Sequence, residues 1–318
     1  MRIFIFAQWL LAAATLAAAP AVDRTTVVVV AGAPGDSEFT SVFDSEIKNW
    51  TDVCARAEAK LVVVGNGTAE ATSDRDRLKA ALAEEPKDSI GELWVVLVGH
   101  GTFDGKEAKF NLRGPDFSAT ELADWLKPFH RPLAVIDTSS ASAPFLAKLS
   151  GPNRVVVSST RSGFEQNYAR FGRFFAEAIV EPASDLDKDG QVSLLEAYLA
   201  AARRTAEFYK TEGRLATEHA LLDDNGDGLG TPADWFKGSR ATKQAREGSS
   251  LDGTRAQQFM LVRSAAERQL TPETRAQRDE LELAVAKLRE KKSKMAEELY
   301  FRELEKLLLK LAELYDGA

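Results

Sequence analysis

Five short runs of apolar residues recur along the first half of this chain, and stretches with helical spacing separate them. Runs of valine, leucine and isoleucine without polar alternation are typical of strands that are buried on both faces of a sheet. The strands predicted in this way are Thr26–Ala31, Lys60–Val64, Glu92–Val98, Pro132–Asp137 and Arg154–Ser158. Strands that alternate with helices predict an α/β fold in which a mainly parallel sheet lies between two layers of helices.

The helices expected between and after these strands have amphipathic spacing and favourable N-terminal caps. Ser118 and Glu121 show the pattern of a capping box, in which side chains and backbone bond each other at a helix start. The predicted helices are Ser37–Ala59, Ser73–Glu84, Ser118–Leu126, Ala143–Leu149, Tyr168–Val180 and Ser193–Tyr209. In a sheet of this kind, functional sites lie beyond the carboxyl ends of the strands.

The first 21 residues have the pattern of a secretory signal peptide. Arg2 precedes a nearly charge-free stretch that ends in Ala19, Pro20 and Ala21, an A-x-A cleavage site before Val22. We therefore expect an exported protein, periplasmic or extracellular, that has no membrane attachment after cleavage. An uncleaved anchor is the alternative, because about 17 apolar residues is near the minimum for a membrane span.

Net charge and cysteine content narrow the classes of function. The 318-residue chain has a net charge of −7 and no basic stripe, which argues against a nucleic-acid partner. Cys54 is the only cysteine, so an intrachain disulfide is excluded. It lies within a predicted helix and not at the end of a central strand, so we expect a core residue and not a nucleophile.

Two of the predicted strands end in residues that carry chemistry. The third is followed by Gly99, His100 and Gly101, and the fourth runs into Ser139 and Ser140. A histidine base and a hydroxyl nucleophile at one sheet edge are the components of a hydrolase, and the Gly101 N–H would serve an oxyanion hole. In the structural alternative, the histidine is a loop residue bonded to backbone and the first serine is a turn hydroxyl.

These segments resemble the C13 peptidases, the family of legumain and of the GPI-anchor transamidase catalytic subunit, in the caspase-like clan. The block 99–105 resembles the family's His-Gly block, and 136–139 resembles its nucleophile strand, with Ser139 in the place of cysteine. The segment 155–167 resembles the strand and loop that follow. The resemblance covers residues 26 to 180. It implies a caspase-like fold, a catalytic His100, and a peptide or protein as ligand or substrate.

The replacement of cysteine by serine separates two functions. A thiol with a pKa of about 8.5 is easily converted to a thiolate, whereas a serine hydroxyl needs a base at about 2.6–3.2 Å. We therefore expect a catalytically impaired domain that acts as a binding or scaffolding module. An active hydrolase is the alternative, with His100 as base and Ser139 as nucleophile, or Ser140 if the turn contains one inserted residue. Asp137 would then orient the histidine, or would cap the turn instead.

Two further features bear on these hypotheses. The Arg/Asn-rich block near the first strand of legumain-type enzymes is replaced here by residues 33–36. A nucleotide-binding domain is disfavoured, because the glycines at Gly32 and Gly35 do not form a GxGxxG or P-loop pattern.

An acidic segment after the α/β region matches the twelve-position calcium-binding loop of EF-hand proteins. Carboxylates hold positions 1, 3 and 5, a glycine holds position 6, a backbone carbonyl serves at position 7, and a glutamate holds position 12. The ligands predicted for this first loop are Asp185, Asp187, Asp189, Gln191 and Glu196. The expected cofactor is Ca2+, with a structural role.

A second loop follows the same pattern at positions 1, 3, 5 and 6 but ends in aspartate. Its predicted ligands are Asp223, Asn225, Asp227, Leu229 and Asp234. Aspartate is shorter than glutamate at position 12, and Pro232 would disturb the exiting helix. An Asx-rich turn without a cation is the alternative.

The predicted order of domains is a signal peptide at 1–21, a caspase/legumain-like α/β domain at 22–182, an EF-hand-like segment at 183–236, a polar linker at 237–263 and a helical region at 264–318. The last region has few glycines or prolines, and its leucines recur at intervals of three, four or seven. This spacing predicts a long helix or a helical hairpin with an apolar seam. The seam packs on the body of the protein or mediates self-association.

Overall fold

The computed structural model describes residues 24–68 and 71–316, and the predicted signal peptide lies outside these ranges. No helix within them combines the length and the apolarity that crossing a membrane requires. The α/β region comprises, in chain order, β1 (Thr26–Ala31), α1 (Ser37–Arg56), β2 (Lys60–Val64), α2 (Asp74–Glu84), β3 (Leu93–Val98), β4 (Gly101–Phe103), β5 (Ala108–Phe110), β6 (Phe117–Ser118), α3 (Ala119–Leu126), β7 (Leu133–Asp137), α4 (Ala143–Leu149), β8 (Arg154–Ser158) and α5 (Phe171–Ala178).

The remainder of the chain is more irregular. Its elements are α6 (Leu194–Thr211), β9 (Leu221–Asp223), β10 (Thr231–Pro232), β11 (Phe236–Lys237), β12 (Arg240–Ala241), α7 (Ala265–Gln269), α8 (Pro272–Glu290) and α9 (Glu297–Asp316), with short 3-10 turns at Pro182–Ser184, Ala233–Trp235, Ala256–Gln258 and Lys292–Lys294.

The central sheet has the strand order β10-β9-β8-β7-β3-β1-β2. The five strands predicted from apolar runs pair in parallel, as such runs require when helices cover both faces of a sheet. Strand β9 adds to this sheet antiparallel to β8, and β10 pairs antiparallel with β9. These last two strands were not predicted, because together they comprise only five residues.

Successive residues of each central strand face opposite layers of helices, and each face has its own core. On one face, Val27, Val29 and Val96 pack with side chains of α1, α5 and α6. On the other face, Val28 and Val95 pack with side chains of α2, α3 and α4. The predicted three-layer α/β architecture with a mainly parallel sheet is therefore confirmed.

Several predicted helix starts are also found, because their caps are local. Ser118 and Glu121 form the predicted capping box at α3, and Ser193 and Glu196 form another at α6. Ser73 caps α2 by accepting a hydrogen bond from the Asp76 N–H. The helix expected to span 168–180 is shorter, since α5 begins only at Phe171.

The segment 237–263, which has no periodic pattern, is nevertheless packed against the α/β core. Ala256, Phe259 and Leu261 are buried in the core on the α1 side of the sheet. The Leu194 N–H donates to the Phe259 carbonyl, which ties this segment to the start of α6. Its apolar residues are too scattered along the chain for a periodic signal, although they meet in space.

The C-terminal region forms a helical hairpin, one of the two arrangements that its leucine spacing predicts. Helices α8 and α9 pack against each other across the turn at Lys292–Lys294. Gln258 Nε2 donates to the Asp279 carbonyl at 2.8 Å, which connects α8 to the body. Helix α9 leaves Phe301, Leu308 and Leu309 about half exposed, at 49%, 48% and 57%.

Candidate functional site

The carboxyl ends of β3 and β7 are adjacent, so the predicted histidine and serines lie at one edge of the sheet. Leu97 of β3 is in register with Asp137 of β7. Gly101 and Ser140 are in direct contact: the Gly101 N–H donates to the Ser140 hydroxyl at 3.1 Å, and that hydroxyl donates to the Gly101 carbonyl at 3.0 Å. The two motifs are therefore joined by hydrogen bonds between backbone and side chain.

The half-buried His100 ring packs against a cluster of aromatic side chains. It lies edge-on to Phe39 of α1 at 4.7 Å between ring centroids, and 5.2 Å from Phe43. Tyr168 belongs to the same cluster, with its ring centroid 6.1 Å from that of His100. Burial among these rings lowers the pKa of His100 from its ordinary value, and a hydrogen bond to the Pro34 backbone partly opposes this. The imidazole is therefore predominantly neutral at pH 7.

Ser139 is fully buried and is bound to its neighbour in the same turn. Its hydroxyl donates to Asp137 Oδ1 at 2.6 Å, and its N–H donates to the same oxygen at 3.0 Å. Burial raises the pKa of Asp137 to about 7, and the two bonds from Ser139 oppose this rise. Of the two roles considered for Asp137, this geometry corresponds to the cap of the turn.

Neither serine hydroxyl is hydrogen-bonded to His100 within the part of the chain that the structure describes. Ser139 and Ser140 are 0% and 2% exposed, and each bonds to a different acceptor. Further buried hydroxyls fill the same sheet edge: Ser142 Oγ lies 3.1 Å from both Ser159 Oγ and Thr160 Oγ1. The edge is thus a cluster of buried, hydrogen-bonded hydroxyl groups. None of the described contacts orients either predicted nucleophile toward the His100 imidazole.

The glycines that flank His100 have a packing reason. A Cβ on Gly99 would lie 2.9 Å from the Phe110 ring and 3.0 Å from Gly32 Cα. A Cβ on Gly101 would lie 2.3 Å from the Ser140 carbonyl oxygen, closer than a real Cβ approaches any atom. Both positions therefore require glycine whether or not an oxyanion hole operates.

The environment of His100 includes residues that no motif indicated. Tyr168 donates its hydroxyl to Glu46 Oε1 at 3.1 Å, and Glu46 lies on the buried face of α1. Burial raises the pKa of Glu46 to about 8. A glutamate at an apolar position of an amphipathic helix was the available signal, although its partner at Tyr168 is 122 residues away.

Glu165 lies beside the same turn and connects three segments. Its backbone carbonyl accepts from the Ala141 N–H, and its side chain pairs with Arg161 at 3.3 Å. His219 Nδ1 lies 2.6 Å from Glu165 Oε1. Glu165 thus pairs with Arg161 on the same side of the turn that approaches Ala141.

The first acidic loop brings its predicted ligands together. Carboxylate oxygens of Asp185, Asp187 and Asp189 lie within 4.8 Å of one another between α5 and α6. Gly190 has φ of 87°, which the sharp turn at position 6 requires. Gln191, at position 7, also donates its side-chain amide to Asp189 Oδ2. An all-oxygen donor set of this kind fits Ca2+.

Glu196, at position 12 of this loop, is 1% exposed and faces the loop. Its Oε1 accepts from the N–H groups of Leu186 and Asp187 at 2.7 and 3.2 Å. Burial raises the pKa of Asp187, as do the nearby carboxylates of Glu196, Asp189 and Asp185. Mutual repulsion among these groups is what a bound divalent cation would relieve.

The second acidic loop joins β9 to β10, so it is built into the edge of the central sheet. Asp223 ends β9 in register with Val156, and its carboxylate accepts from the N–H groups of Gly226 and Gly228. Asn225 and Asp227 follow at positions 3 and 5, and Leu229 supplies the carbonyl position. Asp227 Oδ2 is buried and has no hydrogen-bond partner among the described residues.

The exit of the second loop differs from an EF-hand, as Pro232 suggested. A 3-10 turn at Ala233–Trp235 replaces the exiting α-helix. Asp234, the predicted position-12 ligand, is exposed within that turn. The described hydrogen bonds do not connect its side chain to the loop.

No protein-family model matches this sequence, and a search of curated proteins found no match. Among solved structures, the chain is similar to the Drosophila initiator caspase Dronc, with 13% identity, a TM-score of 0.42, and coverage of 66% of this chain and 82% of that chain. It is also similar to caspase-1 from Spodoptera frugiperda, with 9% identity, a TM-score of 0.40, and coverage of 63% and 86%. At these values neither likeness transfers an activity, a substrate or a site residue.

Proposed function

We propose that this chain is an exported, calcium-stabilised module of the caspase/legumain-like type that binds or scaffolds a peptide or protein without hydrolysing it. The observation that supports this proposal is the engagement of both candidate nucleophiles. Ser139 is bonded to Asp137 and Ser140 to Gly101, and neither is bonded to His100. A serine attacks efficiently only while a base accepts its proton.

Activation of Ser139 would require rearrangement of the buried turn. Its hydroxyl would have to leave Asp137 Oδ1, which would keep only the bond from the Ser139 N–H, while the other oxygen, Oδ2, is buried and has no hydrogen-bond partner among the described residues. Losing one intramolecular hydrogen bond costs about 0.5–1.5 kcal/mol. Ser140 would have to release the bond that its hydroxyl donates to the Gly101 carbonyl.

An exposed phenylalanine beside the same edge, packed on a half-buried one, is suited to a binding role. Phe164 is 73% exposed and packs against Phe103 with 5.2 Å between ring centroids. Gln166 Nε2 donates to the Phe103 carbonyl at 3.1 Å, which holds the two segments together. Exposed aromatic side chains on a supported loop are typical of peptide-binding surfaces.

An active hydrolase is the second candidate, and two observations favour it. Burial keeps the His100 imidazole neutral, which is the state that a general base requires. Ala141, next to Ser140, has φ of 54°, and strained backbone of this kind occurs at active sites. We rank this candidate second because the described hydrogen bonds orient both serines away from the histidine.

The test of the catalytic question uses purified protein, a fluorophosphonate probe, and a panel of caspase and legumain peptide substrates. We expect no labelling or cleavage above that of the His100→Ala variant. The matched control is His130→Ala, which removes an exposed loop histidine. Labelling that persists in the control and disappears in His100→Ala, Ser139→Ala or Ser140→Ala would establish the hydrolase instead.

The calcium part of the proposal has its own measurement. Asp187→Ala removes the position-3 carboxylate of the first loop, so titration calorimetry should show one tight binding event fewer than in the parent. Asp76→Ala removes an exposed helical aspartate far from the loop in sequence and serves as the control. Equal calcium binding by Asp187→Ala and the parent would exclude the first loop as a site.

Self-association is part of the same proposal. The half-exposed apolar residues of α9 are a surface that a second copy would cover.

A further inference from the structure

The position-12 acid of the first loop makes a defined set of hydrogen bonds. Glu196 Oε1 accepts from the N–H groups of positions 2 and 3, Leu186 and Asp187, at 2.7 and 3.2 Å. Its Oε2 accepts from the hydroxyl of position 9, Ser193, at 2.9 Å. Oε2 also accepts from the Ser193 N–H at 2.9 Å, so four bonds orient the carboxylate toward the loop in which the three aspartates lie close together.

A different residue makes three of these four bonds to the second loop. Asp252 Oδ1 accepts from the N–H groups of Asp224 and Asn225, which are positions 2 and 3, at 3.0 and 3.1 Å. Its Oδ2 accepts from the hydroxyl of Thr231, which is position 9, at 2.6 Å. Asp252 is 3% exposed, whereas Asp234 is exposed.

The two loops also share bonds from the backbone to the side chains at positions 1 and 5. In each, the position-1 carboxylate accepts from the N–H groups of positions 4 and 6, with Asp185 and Asp223 as acceptors. In each, the position-5 side chain accepts from the N–H of position 7, with Asp189 and Asp227 as acceptors. Asp252 therefore occupies the place of Glu196 relative to positions 2, 3 and 9 of a loop with the same backbone bonds at positions 1 and 5.

The segment that carries Asp252 is held in place from the other side. Asp224 accepts from the N–H groups of Gly253 and Ala256 at 2.9 and 2.8 Å, while its own N–H donates to Asp252. Position 2 of the loop and the residues at 252–256 thus bind each other reciprocally. This arrangement fixes Asp252 to the loop even though 29 residues separate it from Asp223 in sequence.

The buried aspartates around the second loop have no positively charged side chain among the described residues to pair with. Asp223, Asp224 and Asp252 are 1%, 9% and 3% exposed, and no lysine or arginine within residues 24–68 and 71–316 forms an ion pair with any of them. Asp227 Oδ2 is buried and has no hydrogen-bond partner in the part of the chain that the structure describes. Buried carboxylates ordinarily have a cationic partner or bind a metal ion.

We infer that Asp252 is the position-12 ligand of a second calcium site, in place of Asp234. This inference rests on the calcium binding proposed above and specifies how the second site is completed. The site would combine Asp223, Asn225, Asp227 and the Leu229 carbonyl with a carboxylate from a distant segment. A short aspartate suffices there because the chain at 252 approaches the loop directly.

The experiment is carried out in an Asp187→Ala background, so that the second site is observed alone. Calcium is titrated into the full chain carrying Asp187→Ala by itself, with Asp252→Asn, or with Asp234→Asn as the matched control. We expect one remaining site in the first and third proteins. In the second, loss of one ligand charge should weaken binding about tenfold to a hundredfold or more.

A thermal melt in chelator and in calcium separates ligation from structure. If Asp252 only supports the fold, Asp252→Asn lowers the melting temperature in chelator and leaves the calcium affinity unchanged, which would overturn the inference. Equal weakening by Asp234→Asn and Asp252→Asn would also overturn it. Where Asp252→Asn does not fold, Thr231→Val removes the hydroxyl that orients Asp252, and it should weaken calcium binding with Asp234 intact.

The outcomes also distinguish this inference from the proposed function. If Asp187→Ala alone leaves no calcium site, the second loop is not a site and the inference fails, while the first loop stands. If Asp187→Ala binds calcium as the parent does, the first loop is excluded. Loss of binding on Asp252→Asn in that background would still identify the second site.

Discussion

Glu46 is a buried acid next to the candidate site. Its replacement by the neutral glutamine should stabilise the protein at high pH. The carboxyl group is 3% exposed, and burial raises its pKa from 4.5 to about 8. Between these values the folded state binds a proton that the unfolded state has released. The free energy of unfolding therefore falls as pH rises through this window, and the loss is complete above about pH 8.

The size of this loss in unfolding free energy follows from the width of the pH range between the two pKa values of Glu46. At about 1.36 kcal/mol for each pH unit from 4.5 to about 8, this carboxyl group destabilises the folded state by at most about 5 kcal/mol at pH 8. Glu46→Gln removes the titration and keeps an oxygen that accepts from the Tyr168 hydroxyl. We expect the variant to gain about 2–4 kcal/mol over the parent between pH 5 and pH 8.

The assay is urea unfolding of parent and variant at pH 5, 6, 7 and 8, in a fixed calcium concentration. The difference between the two proteins isolates this group from other buried acids such as Asp137, which titrate in both. Asp44→Asn, an exposed carboxylate on the same helix, is the control and should show a flat difference. If the difference in unfolding free energy between Glu46→Gln and the parent did not change with pH, the carboxyl group would not be held neutral by burial, and this prediction would be wrong.

Three further perturbations test the packing around the site and the exposed helix. Gly101→Ala should destabilise the protein by about 1–3 kcal/mol in urea unfolding, because its Cβ would lie 2.3 Å from the Ser140 carbonyl oxygen. The control Gly151→Ala, whose Cβ would have no contact below 3.7 Å, should change stability by less than about 0.5 kcal/mol. Equal effects of the two substitutions would contradict the packing argument. The Cys54 thiol, whose pKa burial raises to about 12, should react with a disulfide reagent about a hundredfold or more slowly in the native protein than in denaturant, and a fast native reaction would show that this residue is accessible. Leu309→Glu should shift any oligomer seen by sedimentation toward the monomer. The control Leu215→Glu changes a 90% exposed leucine outside the hairpin and should leave the oligomer unchanged. Equal behaviour of the two variants would show that α9 is not the self-association surface.

The parts of the fold that were predictable have local or periodic signals. The strand Thr26–Ala31 is apolar at almost every position, and its burial on both faces follows from that alone. The capping box at Ser118 and Glu121 marks a helix start within four residues. The parallel sheet required only the alternation of such elements.

The features that escaped prediction depend on contacts between distant segments. Asp252 lies in a polar stretch with no motif, and its relation to the second loop exists only because the chain returns there. Tyr168 reaches Glu46 across 122 residues. The placement of His100 and Ser139 at one edge followed from strand order, but the choice of Asp137 as the serine's partner depends on side-chain geometry within the turn.

The tie between Asp224 and the residues at 252–256 has a consequence for the segment between them. Residues 242–244 and 246–248 are exposed, while the chain on both sides is anchored by buried bonds at Thr231 and Asp252. An exposed stretch with fixed ends is where a chain tolerates cutting or insertion. A protease nick near Glu247 should therefore leave two polypeptides in one folded body, and a tag or a second domain inserted there should be displayed without unfolding its host.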